Sequence, residues 1–255
     1  MYDPKVFRLD GDIALITGAG AGIGRQIALT FAAAGASVVV TDRSEDTARA
    51  VADAIEAAGG RSLARACDVT QEEHLEAAVQ GTVETFGGLT ILVNNAGGGG
   101  PKPFDMSMED FRWAYELNVF SLFRLTQLAV PPMEAAGGGA VLNISSMAGE
   151  NRNQRMASYG SSKAAVSHLT RNVAFDLGPK NIRVNAIAPG AIRTAALASV
   201  LTPDVERGML RNTPLGRLGE PDDIANAALF LCSRAAGWIS GQVLTVSGGG
   251  VQELD

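Results

Sequence analysis

Cysteine and histidine are scarce in this 255-residue chain, which holds two of each. Cys67 and Cys232 lie far apart, and neither has a second cysteine or a histidine at metal-ligand spacing. A disulfide framework and a zinc centre are therefore excluded as the basis of the fold, and no metal site is expected. The two thiols read as buried and reduced, which fits a cytoplasmic protein. Basic residues are outnumbered, 21 Lys and Arg against 27 Asp and Glu, for a net charge of −6. Such a surface argues against nucleic acid as partner, because neutralising phosphates needs clustered cations. Apolar runs such as Ala36–Val40 and Ala227–Cys232 fall far short of the ~20 residues of a membrane span. Met1 to Asp12 carries charges throughout and lacks the apolar stretch of a secretory signal.

Glycine, by contrast, is abundant, 30 of 255 residues with no collagen period, so the glycines belong to special turns. Short apolar runs alternate with helical patterns from end to end. The runs 12–16, 37–41, 62–67, 90–93, 140–145, 182–188 and 242–246 read as strands. Helices are expected at 25–34, around Val51 and Ile55, and from a capping-box pattern at Thr70–Glu73 through Leu75, Val79, Val83 and Phe86. A long helix from Met108 to about Ala136 is capped by Ser107. It turns Phe111, Tyr115, Val119 and Leu122 inward, and Pro131–Pro132 should kink its last turns. Another carries Tyr159 and ends at Leu177 before Gly178–Pro179. All-apolar strands separated by helices mean a parallel sheet covered on both faces. The chain reads as one doubly wound α/β domain over 1–255, with a substrate element inserted at about 195–219.

The first strand runs into Thr17-Gly-Ala-Gly-Ala-Gly-Ile-Gly24, and an acid, Asp42, ends the second strand. Glycines permit a tight turn and close backbone approach, and the following helix offers free N–H groups to a pyrophosphate. A carboxylate at Asp42 accepts bonds from ribose hydroxyls and repels a 2′-phosphate, which favours NAD over NADP. Arg43 leaves two readings open: a solvated side chain or one lying over the adenine, or a partner for that phosphate. Tyr159 and Lys163 are four apart on a helix, about 40° around its axis, so they share a face. A cation there favours the phenolate of a tyrosine whose ordinary pKa is ~10, and such a pair can exchange a proton with an alcohol or a carbonyl. His168 lies on the opposite face, and His74 sits among glutamates; both read as packing or solvent-facing. Four strands end in small or polar residues, Thr17-Gly18, Asn94-Asn95, Ser145-Ser146 and Pro189-Gly190, and these ends converge on one crevice.

Together these features resemble the short-chain dehydrogenase/reductase family, from Gly11 to about Gly250. The resemblance rests on Thr17-Gly18-x-x-x-Gly22-x-Gly24, on Asn94-Asn95-Ala96-Gly97, on Ser146 thirteen residues before Tyr159, on Lys163, and on Pro189 to Thr194. It implies a Rossmann domain with seven parallel strands in the order 3-2-1-4-5-6-7, and a homotetramer. The catalytic set it implies is Asn118, Ser146, Tyr159 and Lys163. Tyr159 would be the general acid/base, Lys163 would lower its pKa and bond the nicotinamide ribose, Ser146 would bond the reacting oxygen, and Asn118 would hold a relay water. NAD would lie against Gly18, Gly22, Ile23, Gly24, Asp42, Arg43, Asp68, Val69, Asn95, Gly97, Ile192 and Thr194, with Tyr159 and Lys163. Ala21 stands where NADP-preferring members often carry a basic residue, and Ser247-Gly248-Gly249 departs from the usual Asp-Gly-Gly.

Within the family, the runs from Asn94 to Phe104, from Ser146 to Asn151 and from Ser247 to Leu254 resemble the branch that oxidises bile acids at a 7α-hydroxyl. That implies a steroid substrate against Gly99, Ser146, Asn151 and Tyr159. A 3-oxoacyl carrier-protein reductase or a polyol dehydrogenase shares the catalytic set. A dinucleotide-binding protein without turnover would have no need of the phenol.

Overall fold

Seven short apolar runs become seven parallel strands of one sheet in a computed structural model that describes residues 3–199, 201–211 and 213–250. They are β1 (Ile13–Ile16), β2 (Ser37–Asp42), β3 (Arg61–Ala66), β4 (Ile91–Asn94), β5 (Gly139–Ile144), β6 (Ile182–Pro189) and β7 (Val243–Val246). Their order is β3-β2-β1-β4-β5-β6-β7, as expected. The helices are α1 (Gly22–Ala33), α2 (Glu45–Ala57), α3 (Glu72–Phe86), α4 (Met108–Tyr115), α5 (Ser121–Ala135), α6 (Ala157–Leu177), α7 (Ala195–Ala198), α8 (Pro203–Leu210) and α9 (Pro221–Cys232). Among the described residues no helix is long and apolar enough to cross a membrane.

Successive strand side chains point to opposite faces, so an all-apolar strand supplies two cores at once. Ala14, Ile16, Val38, Val40, Ile91 and Val93 join one core with Ile27 and Phe31 of α1, Val51 and Ile55 of α2, and Ile224 and Leu231 of α9. Leu15, Val39, Leu92 and Val141, one position out of phase, join the other with Leu75 of α3, Leu125 and Met133 of α5, and Val173 and Leu177 of α6. Each fully buried Leu, Ile, Val or Phe contributes about 1.5–3 kcal/mol over exposure, so neither face can be uncovered cheaply.

Three local expectations are corrected. The helix after the glycine turn starts at Gly22 rather than Arg25, so the turn itself enters the helix. Gln71, not Thr70, is the N-cap residue of α3, and Thr70 bonds Asp68 instead. The expected long helix from Met108 is interrupted by a π-helical turn, Glu116–Phe120. The π turn shifts the buried face: Ala114 and Asn118 are buried, whereas Phe111, Tyr115 and Val119 are only half-buried. As expected, the helix runs on through Pro131 and Pro132, α5 ending at Ala135.

Arg183 on β6 closes the end of α9. Its Nη1 donates to the carbonyls of Leu231 (2.7 Å) and Ile239 (3.3 Å), and its Nη2 to those of Cys232 and Ser233 (both 3.2 Å). The last carbonyls of a helix have no partners within it, and a cation there also meets the negative end of the dipole. Arg183→Leu should therefore lower unfolding stability by about 2–4 kcal/mol in urea titrations, because charged hydrogen bonds are lost and buried carbonyls orphaned. A loss under about 0.5 kcal/mol would mean that water replaces the guanidinium.

Candidate active site

The strand order reverses between β1 and β4, and a crevice opens at their carboxyl ends, where ligands of open α/β sheets bind. Thr17 stitches the two ends together: its Oγ1 accepts from the backbone N–H of Asn95 (3.1 Å) and of Ala96 (3.0 Å). The Asn95 carboxamide donates to the carbonyls of Thr17 and Gly18, both at 2.9 Å. Gly18 takes φ +59°, in the left-handed region that favours glycine. A Cβ on Gly20 would lie 2.4 Å from Thr47 Oγ1, so a bare backbone is required for Gly20 N–H to reach Asp42 Oδ2 at 3.0 Å. No side chain caps α1, which leaves the N–H groups of its first turn open to an anion.

Two clefts meet at Gly18, Asn95 and Gly97. One, of about 530 Å³, is lined by Asp42, Arg43, Asp68 and Val69 among others. The second, of about 380 Å³, is lined by Gly22, Ile23, Ser146, Tyr159, Lys163, Ile192 and Thr194. Gly24 lies behind the turn, where a Cβ would sit 2.3 Å from Gly18 O. Asp42 takes N–H bonds from Gly20 and, at 3.1 Å, from Ser44, and its carboxylate still has lone pairs to offer. Asp68 is held by Thr70, whose N–H (3.0 Å) and hydroxyl (2.7 Å) bond one oxygen and keep its carboxyl below the usual range. His74 is half of this arrangement too, since its Nδ1 accepts from Asp68 N–H at 3.2 Å. The adjoining paired clefts, the uncapped helix and a free carboxylate fit a dinucleotide.

In the second cleft, three consecutive residues at the end of β5 hold α6. The Ile144 carbonyl accepts from Lys163 Nζ at 2.8 Å, the Ser145 hydroxyl donates to the Lys163 carbonyl at 2.8 Å, and the Ser146 hydroxyl bonds the Tyr159 phenol. Lys163 is 4% exposed, and burial pulls its pKa down to about 8. Burial likewise pushes Tyr159 above its ordinary value, against the opposing bond from Ser146. This is the reverse of the direction expected from a neighbouring cation. Lys163 Nζ stands 5.9 Å from the ring centroid and spends its bond on Ile144, so the cost of burying a phenolate prevails.

Asn118 sits on the π-helical turn, behind the cleft rather than in its wall. Its Oδ1 accepts from Gly98 N–H (3.0 Å), and its Nδ2 donates to Gly98 O (2.9 Å) and Ser162 Oγ (3.0 Å). Ser162 in turn donates to the Tyr159 carbonyl at 2.7 Å. A Cβ on Gly97 would lie 2.8 Å from Asn118 Oδ1 and 3.0 Å from Lys163 Nζ, so Gly97 separates the two.

Of two further expected substrate residues, Gly99 lies against this cluster and Asn151 beside it. Gly99 has φ +133°, and a Cβ there would come within 2.7 Å of Tyr159 Cδ2, so the residue makes room for the tyrosine ring. Asn151 lines an adjacent groove of about 690 Å³ with Phe104, Arg155 and Met156. The sequence places Thr17 and Ser145 at strand ends and Gly20 in the glycine turn but assigns them no role, and it gives no signal for Ser162; all four act on their neighbours through hydrogen bonds across the fold. Both cysteines are buried, and burial raises Cys67 to about 11 and Cys232 to about 12, so both are unreactive thiols at neutral pH.

The family model described as enoyl-(acyl carrier protein) reductase matches residues 18–250. The chain is 64% identical, over the whole of both chains, to a 7alpha-hydroxysteroid dehydrogenase of Escherichia coli (strain K12). A 3-oxoacyl-[acyl-carrier-protein] reductase of Aquifex aeolicus (strain VF5) is 36% identical, with 95% of this chain and 98% of that one covered. A solved structure of 7 alpha-hydroxysteroid dehydrogenase complexed with NADH and 7-oxo glycochenodeoxycholic acid superposes with a TM-score of 0.97, at 64% identity and full coverage of both chains. Identity at this level leaves no room for a different topology or a shifted register of the strand ends: the chain belongs to the short-chain dehydrogenase/reductase family.

Proposed function

We propose that this chain oxidises the 7α-hydroxyl of bile acids to a ketone with NAD. The observation that carries the reading is 64% identity over the full length to a 7alpha-hydroxysteroid dehydrogenase, with Ser146, Tyr159 and Lys163 sharing one cleft. NAD, when bound, supplies the hydride acceptor. Tyr159 takes the hydroxyl proton as the C–H bond breaks, and Ser146 bonds the reacting oxygen. Lys163 offers its charge to the developing phenolate, and Asn118 orients the loop at Gly98 through both of its amide groups. Asp42, Arg43, Asp68 and Val69 would hold the adenosine half, and Ile192 and Thr194 the nicotinamide half, with Gly99 and Asn151 toward the sterol. On this reading 1–255 is one catalytic domain, and the segment around 195–219 covers the substrate. The reading includes a homotetramer in the cytoplasm; exposed Phe123 of α5 and Phe175 of α6, the latter 89% exposed, support self-association, being apolar surface that another copy can cover.

A panel of cholate, its 7β epimer, a 3-oxoacyl thioester and ribitol tests the substrate. Cholate should be oxidised and the 7β epimer hardly at all. A rigid ring system cannot rotate its C–H bond toward the cofactor while keeping its hydroxyl on Tyr159 and Ser146. Turnover of the thioester but of no 7α-hydroxysteroid would overturn the assignment.

Cofactor choice follows from charge. The unmodified protein should prefer NAD over NADP, and Asp42→Asn, which keeps an acceptor for Ser44 or Gly20, should raise kcat/KM with NADP at least about tenfold by removing the repulsion. Equal use of both dinucleotides by the unmodified protein would refute the role given to Asp42.

Tyr159→Phe should lower turnover by about 10²–10⁴-fold while NAD binding, followed by fluorescence titration, changes little. The pH dependence has a definite sign. Oxidation needs the phenolate and reduction the neutral phenol, and burial raises the Tyr159 pKa. Oxidation should therefore climb as pH rises toward that value, while reduction of the ketone falls. A flat profile in both directions would exclude the phenol as the titrating group.

A further inference from the structure

The polar contacts between α6 and the sheet are not equivalent. Asn143 Nδ2 donates to Thr170 Oγ1 at 2.9 Å, near the middle of the helix and away from the cleft. Ser145, the first residue after β5, is 2% exposed and meets the helix backbone directly. Its hydroxyl donates to the Lys163 carbonyl at 2.8 Å and lies 2.8 Å from Ser167 Oγ. A carbonyl only accepts, so the Ser145 proton points at Lys163, and Ser167, also 2% exposed, must donate to Ser145. Residues 163 and 167 are one helical turn apart, so Ser145 is wedged into a single turn of α6.

Beside that turn, α6 is otherwise held by the bond from Asn118 Nδ2 to Ser162 Oγ and by small contacts. Gly160 and Ala164 pack against the turn Met147–Gly149 through small groups, where a Cβ on Gly149 would meet Ala164 N at 2.6 Å. Small flat contacts resist sliding and rotation less than a directional bond does. Lys163 Nζ is itself tied to Ile144 O, but a side-chain bond does not fix the backbone from which the side chain springs.

We propose that Ser145 and Ser167 are positioning residues for the proton-transfer step: the relay Ser167 Oγ–H to Ser145 Oγ–H to Lys163 O locks the turn of α6 that carries Lys163, and so sets where its ammonium stands relative to Tyr159 and Ser146. The inference rests on the function proposed above. Neither serine touches substrate or the reacting atoms.

The test is steady-state oxidation of cholate as a function of pH by Ser145→Ala and Ser167→Ala, with Ser145→Thr as the variant that restores a hydroxyl and Thr170→Val as a variant that cuts another tie between α6 and the sheet. For Ser145→Ala, kcat should fall about tenfold with KM for cholate within about twofold, because a displaced ammonium weakens the transition state more than binding. The rising limb of the pH profile should move to higher pH, and Ser145→Thr should recover both. Should Ser145→Ala fail to fold, Ser167→Ala carries the same expectation. Thr170→Val should lower Tm without moving the pH profile. An unchanged kcat and profile in folded Ser145→Ala, or the same displacement in Thr170→Val, would overturn the inference. Tyr159→Phe belongs in the same series: its retained activity would overturn the proposed function along with the inference, whereas an inactive Phe variant beside an unaltered Ser145→Ala overturns the inference alone.

Discussion

Lys163 carries a charge into a place where water does not reach, and much of the site is arranged to make that tolerable. Taking an ammonium out of water costs several kcal/mol even after relaxation, and one carbonyl bond, from Lys163 Nζ to Ile144, does not repay it in full. The balance shows as a pKa pulled down to about 8, close enough to neutrality for the group to remain charged yet responsive. The same burial raises Tyr159, so the pair is held where each charged form is expensive. A side chain on Gly97 would collide with this ammonium, and one on Gly99 with the ring. The glycine loop is therefore part of the electrostatic arrangement as much as the charged groups are.

Away from that pair, a polar seam ties helices to the sheet. Asn94 Nδ2 donates to Asn143 Oδ1 (2.9 Å) on the adjacent strand and to Thr126 Oγ1 (3.1 Å) on α5, and Asn143 passes on to Thr170 on α6. The seam joins two helices to two strands through groups that are all 5% exposed or less. Buried polar groups are costly unless paired, so a seam of this kind admits few alternative packings. Among the described residues Asn94 Oδ1 is left without a partner, which makes it the weakest point of the seam. Hydrophobic burial drives α5 and α6 onto the sheet, and the seam adds to their stability there without touching the reacting groups.

Much of this was legible in the sequence, for reasons that can be named. Strands buried on both faces are mostly apolar, so β1, β2 and β4 stand out, and the small or polar ends of β1, β4, β5 and β6 mark the crevice. A four-residue spacing put Tyr159 and Lys163 on one face whatever the tertiary packing. What escaped notice needed a third dimension. The π turn at Glu116–Phe120 inserts its extra residue into a pattern that reads as an unbroken helix, and so Asn118 was not seen to be its buried residue. Thr70 was taken for a cap because its spacing to Glu73 matches one, yet its hydroxyl found Asp68, two residues away. Ser145 looked like half of a polar strand end, and only the helix lying over it gives its hydroxyl an acceptor.

In the glycine run from 97 to 100 the missing side chains leave space close to the reacting groups. At Gly97 and Gly99 that space is already filled by Asn118, Lys163 and Tyr159, and Gly100 alone has no atom within 4 Å of where a Cβ would stand. The loop therefore sets how closely the backbone approaches the reacting groups. The walls that Phe104 and Asn151 and the start of α7 form nearby stand on other segments of the chain than the Tyr159–Lys163 pair. Such a division lets the chemistry stay rigid while the walls vary. It accounts for relatives at 36% and 64% identity being a carrier-protein reductase and a steroid dehydrogenase on one scaffold, since loops tolerate change that a buried ammonium and its glycine neighbour do not.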